Sequence, residues 1–531
     1  MRYLCLTLAA ILLSAGGVNG WAAQPSVPEP GVLRWGVYFE PSSIDPHAIT
    51  EWAGMWVADN TYETLVRYGT AVDEEGKIVG TTEIIPWLAE SWEVSPNGMV
   101  YTFYLRKGVK FHDGTDFNAY AVQYSINRML KMNMGPARTI REYIDTESTV
   151  VVDDYTVEIS LRQPCPFFLR LLAQINTGAI VSPAYVEAHG GVVEGEINEH
   201  MRRHECGTGP FVMGEWVPGE RYELVANPEY WQGAPKLDKV IFKIIKDFSA
   251  QYLMLLRGEL DIVYRLPPDM MEGLIGTPGI VVNRERGVGI HRLWINNEIP
   301  PFDNPLVRKA LMYAIDPQEI NEAAAFGFAT LAKSFIPSTL EGFTDAFYYW
   351  GERDVAKAKE LLEEAGYPDG FATQIYYNAG NTEREQTCLV IQKQLEEAGI
   401  KVEIMPLSWP TFVSYWQEGK MPLFVLSDLG APIVDSFLLT NYHSKNKGPG
   451  GNYAFYENPE VDSLIDQLLL TLDPAQRNSI ITEVQRVLAE DASSVPIYEA
   501  LMFYAQRDWV QDWVLYPSGD WYFYPVWKGY K

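Results

Sequence analysis

Residues 89–130 read AESWEVSPNGMVYTFYLRKGVKFHDGTDFNAYAVQYSINRML. Ser95-Pro96-Asn97-Gly98 is a turn, because proline presets φ while asparagine and glycine tolerate positive φ. Val100 to Arg106, rich in aromatic and β-branched residues, is a strand. His112-Asp113-Gly114 makes the next turn. Thr115 or Asp116 then caps a helix that carries Ala121, Tyr124, Ser125 and Met129 on one face. The run therefore reads strand, turn, strand, turn, helix, and assembles no catalytic group.

The whole chain, 531 residues with 47% hydrophobic and 21% charged residues, is globular and long enough for about two to four domains. Its 69 acidic and 42 basic residues give a net charge of −27, which excludes nucleic acid and anionic membrane as partners, since phosphates need a basic footprint. Residues 1–23 read as a signal peptide: Arg2, the apolar run Tyr3 to Leu13, and Trp21-Ala22-Ala23 at the cleavage site. Cys5 lies too early for a lipobox, and no later stretch reaches the ~18 apolar residues of a membrane span. An exported protein is expected. Of Cys165, Cys206 and Cys388, the first two, both in the N-terminal half, form the candidate disulfide; Cys388 reads as a buried thiol.

Further along, VVVDDYTVEISL within Thr149–Gln163 reads as two strands about an Asp-Asp turn. Asn304 and Pro305 open a helix with Val307, Ala310, Leu311 and Ala314 on one face. Asp354–Ala365 is a helix closed by Gly366, Gln374–Asn378 a strand, Thr382–Ala398 a helix, and Ile400, Val402 and Ile404 alternate as a strand. This order favours an α/β lobe with a largely parallel sheet. Two helices follow, Pro459–Leu470 and Pro474–Ala489, and then the strand-like run Ser493–Ala505. The aromatic tail, from Trp509 to Trp527, reads as a structural cover. No nucleophile elbow, zinc helix, Walker loop or Cys-x-x-Cys is present, so neither catalysis nor a cofactor is expected. His200, His204 and Cys206 have metal-like spacing, but the polar run around them reads as ordinary surface, and no metal is assigned. Gly207-Thr208-Gly209 lacks the Lys-Ser/Thr of a phosphate loop and reads as a tight turn.

Ala89, Ser91-Trp92, Ser95, Gly98, Tyr101-Thr102-Phe103, Leu105-Arg106, Phe111-His112-Asp113-Gly114 and Ala119 resemble, in order, the signature segment of the family 5 extracellular solute-binding proteins. Asn227-Pro228-Glu229-Tyr230-Trp231, Gly258 to Ile262 and Leu293 to Phe302 resemble later blocks of that family. The resemblance implies an α/β, two-lobed periplasmic-binding-protein fold of the large, three-subdomain type, with ligand between the lobes and two hinge crossings, near 258–268 and 491–506. Lobe I would span 31–266 with a subdomain inserted at about 72–185, lobe II 267–492, and 493–531 would return to lobe I. It further implies a monomer that delivers a peptide or an oligosaccharide to an ABC permease. A hydrolase would need a reactive group in the cleft, and a signalling module a partner other than a permease.

The resemblance places the opening strand and its loop beside the ligand, which makes Tyr38, Phe39 and Glu40 candidates, Phe39 being equally readable as core. Tyr264, Asn296 and Asn378 join them. Peptide-binding relatives anchor the ligand ammonium on an aspartate, and that position aligns here with Gly430; Asp428 replaces it if the loop carries an insertion, and Asp435 matches a second acidic position. The arginine that holds the ligand carboxylate in dipeptide-binding relatives aligns with Glu385 and Gln386, with Arg384 one step away. These departures leave room for an oligosaccharide stacked on Trp409, a residue also readable as a buried tryptophan at a strand end.

Overall fold

The computed structural model describes residues 27–530, apart from 50, 73–75, 77, 429–431 and 517. The signal-peptide reading and Gly430 lie outside the described residues. Ten strands form one sheet in the order 400–407, 371–378, 423–427, 280–295, 494–507, 262–264, 32–37, 239–244, 221–226 and 211–217. Strands Ile280–Ile295 and Ser494–Arg507, antiparallel to each other, form its middle and join the two halves. In one half, 371–378 runs parallel to both 400–407 and 423–427. The helix Thr382–Glu397 links 371–378 to 400–407, which is the anticipated βαβ order. In the other half, 32–37 is parallel to 239–244 and 262–264.

The first passage between halves was expected near 258–268. Ile262–Tyr264 instead stays beside 32–37; Pro267-Pro268 ends it, the helix Pro268–Leu274 follows, and the passage is made by 280–295, which pairs with 423–427. The strand-like run read over Ser493–Ala505 is the strand 494–507, which pairs with both 280–295 and 262–264.

The quoted stretch forms the strands Ala89–Val94 and Val100–Leu105 and the helix Ala119–Met132. Together with 156–160 and 149–153 these strands make a separate four-stranded sheet over its own core. The helix cap is Asn118, whose side chain accepts from the Ala121 N–H at 3.0 Å, not Thr115 or Asp116. Thr115 is held back in the turn by Asp113 (2.6 Å), and Asp116 pairs with Lys110 (2.6 Å). Cys165 and Cys206 are free thiols, which corrects the expected disulfide. The insertion's core packs both as small apolar groups, with Cys206 set beside the Asp113 carboxylate.

The aromatic tail does cover the first half. Trp521 stacks on Trp35 with ring centroids 3.7 Å apart, and Asn60 ties down the same segment, donating to the Trp521 carbonyl and accepting from the Phe523 N–H. Below it, Asp45 and Arg128 form a fully buried pair (2.6 Å), and Arg128 also donates to His47 Nδ1 (2.9 Å).

Candidate ligand-binding cleft

Where the two halves meet, a cleft of about 440 Å³ opens. One wall carries Tyr38, Phe248 and Arg265, the other Glu383 and Arg384, and the crossing strand adds Tyr498 and Phe503. Local sequence explains the charged groups. After the strand Phe371–Asn378, Gly380 turns the chain at φ +87°, and the Asn381 side chain caps the next helix by accepting from the Arg384 N–H (2.9 Å). Glu383 and Arg384 therefore stand on the first helical turn at the mouth of the cleft. Arg265 follows Ile262–Tyr264 in a left-handed conformation, φ +57°, which is uncommon for a residue with a side chain; its N–H donates to the Phe503 carbonyl (3.2 Å).

Glu383 accepts a hydrogen bond from the Tyr498 hydroxyl (2.8 Å), and Arg384 donates to Asn378 Oδ1 (2.5 Å). Burial pulls the Arg384 guanidinium below its ordinary value, opposed by Glu383. Behind this wall His291 stacks on Tyr498 at 4.6 Å, its ring nitrogens 3.0 Å from Ser427 Oγ and 3.1 Å from Thr387 Oγ1. Burial lowers His291 to about 4; His47 is also brought to about 4, by burial and then by Arg128.

These two histidines give the fold a pH dependence of definite sign. Each is neutral in the folded chain and gains a proton on unfolding below about 6.5, so its stability is present above that value and is lost as pH falls toward 4. At pH 5 each costs about 2 kcal/mol relative to pH 7. Buried His112 acts oppositely: burial lowers it, but Glu205 carries it upward overall, so its contribution persists in acid and is lost as pH rises. Denaturant titrations at pH 7 and pH 5 should show the His291→Gln variant losing about 2 kcal/mol less than wild type over that interval; an equal loss refutes the assignment.

Of the residues singled out in the sequence, Tyr38 lines the cleft and Asn378 supports it through Arg384. Phe39 packs against Tyr38 and Trp56. Glu40 receives the Trp216 indole N–H and the Gly219 N–H, both at 3.1 Å. Tyr264 is 8% exposed and sits edge-on to Trp521. Asn296 donates to the Gly419 carbonyl (3.0 Å). Trp409 is 49% exposed on Phe412, outside the cleft lining.

The two acidic candidates are both committed inside the fold. Asp428 pairs with Arg292, of which 0% of the side chain is exposed, and accepts from the Ile290 N–H. Asp435 takes both terminal nitrogens of Arg477, at 2.9 and 2.8 Å. Neither carboxylate can receive a ligand cation without uncovering a buried guanidinium. His200 lies stacked between His189 and His204, 4.1 Å from each, with the rings parallel rather than converging.

Sequence reasoning passed over Arg265 and Glu383 and left Arg384 as a near miss. The signal that could have found Glu383 and Arg384 is the Ala379-Gly380-Asn381 turn and cap, which sets the start of their helix; no local signal marks Arg265.

The profile of the bacterial extracellular solute-binding proteins, family 5 middle, matches residues 83–449. The chain belongs to this family. The glutathione-binding protein GsiB of Shigella dysenteriae is 29% identical over 490 residues, covering 90% of this chain and 91% of the relative. The ABC transporter-associated periplasmic binding protein DppA from Helicobacter pylori, solved with the peptide STSA, is 29% identical with a TM-score of 0.74, covering 94% of this chain and 98% of its own. The dipeptide-binding protein from Pseudoalteromonas sp. SM9913, solved with Met-Leu, is 26% identical with a TM-score of 0.75, covering 94% and 100%. These solute-binding relatives share the two-lobed α/β fold, and no described helix is long and apolar enough to cross a membrane.

Proposed function

We propose that this family 5 protein is the substrate-binding component of an ABC importer and takes short peptides into the cleft between its halves. The observation that carries the reading is the meeting of Arg265, Glu383 and Arg384 in one cleft, which offers both signs of charge to a zwitterion. Arg384 would hold the peptide's terminal carboxylate through its planar fork, and the free oxygen of Glu383 would take the ammonium. Relatives named for peptide, dipeptide and glutathione ligands support the same class. Burial of both ligand ends between the halves would favour a closed form that a membrane permease recognises, because a ligand shifts a conformational equilibrium only through differential affinity. In this reading the protein is exported behind residues 1–23, works as a monomer in the periplasm and carries out no chemical step. Trp409, on which the oligosaccharide reading stacked its sugar, lies outside the lining.

Isothermal titration with dipeptides and with hexose or pentose oligomers tests this. Peptides are expected to bind, and at 100 times their Kd to stabilise the fold by about 2.7 kcal/mol. Trp409→Ala should leave peptide affinity within about twofold, because an exposed side chain away from the site contributes little. Sugar binding that disappears in Trp409→Ala would replace the peptide reading with the oligosaccharide one.

A further inference from the structure

The cleft carries more positive charge than a neutral peptide can match. We propose that the ligand is an acidic peptide-like molecule with one ammonium and two carboxylates, the second carboxylate held by Arg265. The inference rests on the peptide reading above and narrows it.

In a chain with 69 acidic and 42 basic residues, an interior guanidinium readily finds a carboxylate. Arg128 has Asp45, Arg292 has Asp428, and Arg477 has Asp435 and Glu341. Arg308 instead spends its donors on the backbone carbonyls of Phe302, Asp303 and Asp491. Arg265 and Arg384 differ. Among the described residues neither forms an ion pair, although both line the cleft. Arg265 lies beside the phenols of Tyr38 and Tyr264 and Arg384 bonds the neutral Asn378, and the single Glu383 carboxylate acts on both guanidiniums.

Among the described residues Glu383 supplies the one carboxylate of the lining. A peptide with two charged ends satisfies Arg384 and engages Glu383 with its ammonium, which leaves Arg265 without a carboxylate of its own. Closure would then strip water from an unpaired cation, which is costly. A second carboxylate on the ligand brings the closed cleft to neutrality: two guanidiniums and one ammonium against Glu383 and two carboxylates. The preorganised fork of Arg265, fixed on a left-handed residue at a strand end, suits such a group.

The test is calorimetric titration of the purified protein with Ala-Glu, its neutral isostere Ala-Gln, Ala-Lys, and iminodiacetate, a non-peptide with one ammonium and two carboxylates. Ala-Glu should bind about tenfold or more tighter than Ala-Gln, the scale of a charge-assisted hydrogen bond, with Ala-Lys weakest. Arg265→Gln should bring the affinities for Ala-Glu and Ala-Gln within about twofold of each other, and Arg265→Lys should restore part of the preference, which a purely structural role would not do. Equal affinity of wild type for Ala-Glu and Ala-Gln overturns the acidic-ligand inference and leaves the peptide reading standing. Binding of iminodiacetate through Arg265 with no dipeptide bound overturns the peptide reading and upholds the charge inference. Binding of none of the four overturns both.

Discussion

Alanine at Arg384 is expected to weaken dipeptide binding by at least about 30-fold, the lower end of the 2–5 kcal/mol lost when one partner of a desolvated charge pair is truncated. Arg384 is fitted to such a role by its place on the first turn of Thr382–Glu397, by its lining of the cleft, and by having, among the described residues, the Asn378 amide oxygen as its side-chain hydrogen-bond partner. Burial lowers its guanidinium from its ordinary value more than Glu383 raises it, so an arriving carboxylate meets a desolvated cation that has no ion-pair partner among the described residues. The same substitution should change the denaturation midpoint of the ligand-free protein little, because a single bond to a neutral amide is lost. Calorimetry and denaturant titration on the same preparation separate the outcomes. Unchanged affinity refutes the assignment, and a collapse of ligand-free stability reassigns Arg384 to the fold. Arg384→Lys should retain only part of the affinity, since a point charge does not reproduce the bidentate fork.

Asp428→Ala has the opposite signature. It should remove about 3–5 kcal/mol of stability in the absence of any ligand. The loss follows from what stays behind: the Arg292 guanidinium, with 0% of its side chain exposed, would keep Ser494 Oγ at 3.2 Å, the Phe335 carbonyl at 3.4 Å and the Tyr442 hydroxyl, but no anion. The Ile290 N–H would lose its acceptor as well. Burial pushes the Asp428 carboxyl up while Arg292 pulls it down; the pair is a structural tie between strands 280–295 and 423–427. Tryptophan fluorescence during denaturant unfolding reads the effect. A variant as stable as wild type that had merely lost peptide affinity would return Asp428 to the role of ligand anchor. Asp435→Ala should cost less than Asp428→Ala, because Arg477 loses the Asp435 carboxylate but keeps Glu341 at 3.3 Å.

The contrast between these two residues shows how far the site could be read from the chain alone. Arg384 lay one residue from an aligned position and was recoverable from local signals, namely a positive-φ glycine, a capping asparagine and the start of a helix. Asp428 carried the right chemistry in the right loop, yet its partner lies 136 residues away, and no local pattern announces which of many acids will meet a buried arginine. Tyr264 and Glu40 illustrate the same limit. Both sit where the resemblance pointed, but Tyr264 is enclosed by Trp56 and Trp521, and Glu40 is taken by Trp216 and Gly219.

The sequence by itself determined the family, the α/β class and most element boundaries. The strand Val100–Leu105, the helix Pro459–Leu470 and the Asp473-capped helix from Pro474 appear where periodicity and caps put them, because turns, caps and amphipathic faces are set by neighbours a few residues apart. Tertiary structure alone decided that Cys165 and Cys206 remain thiols, that the first passage between the halves runs along 280–295, and which charged groups face the cleft. Those outcomes depend on contacts between residues distant in the chain, where an excess of acids over bases leaves many pairings open and packing selects among them.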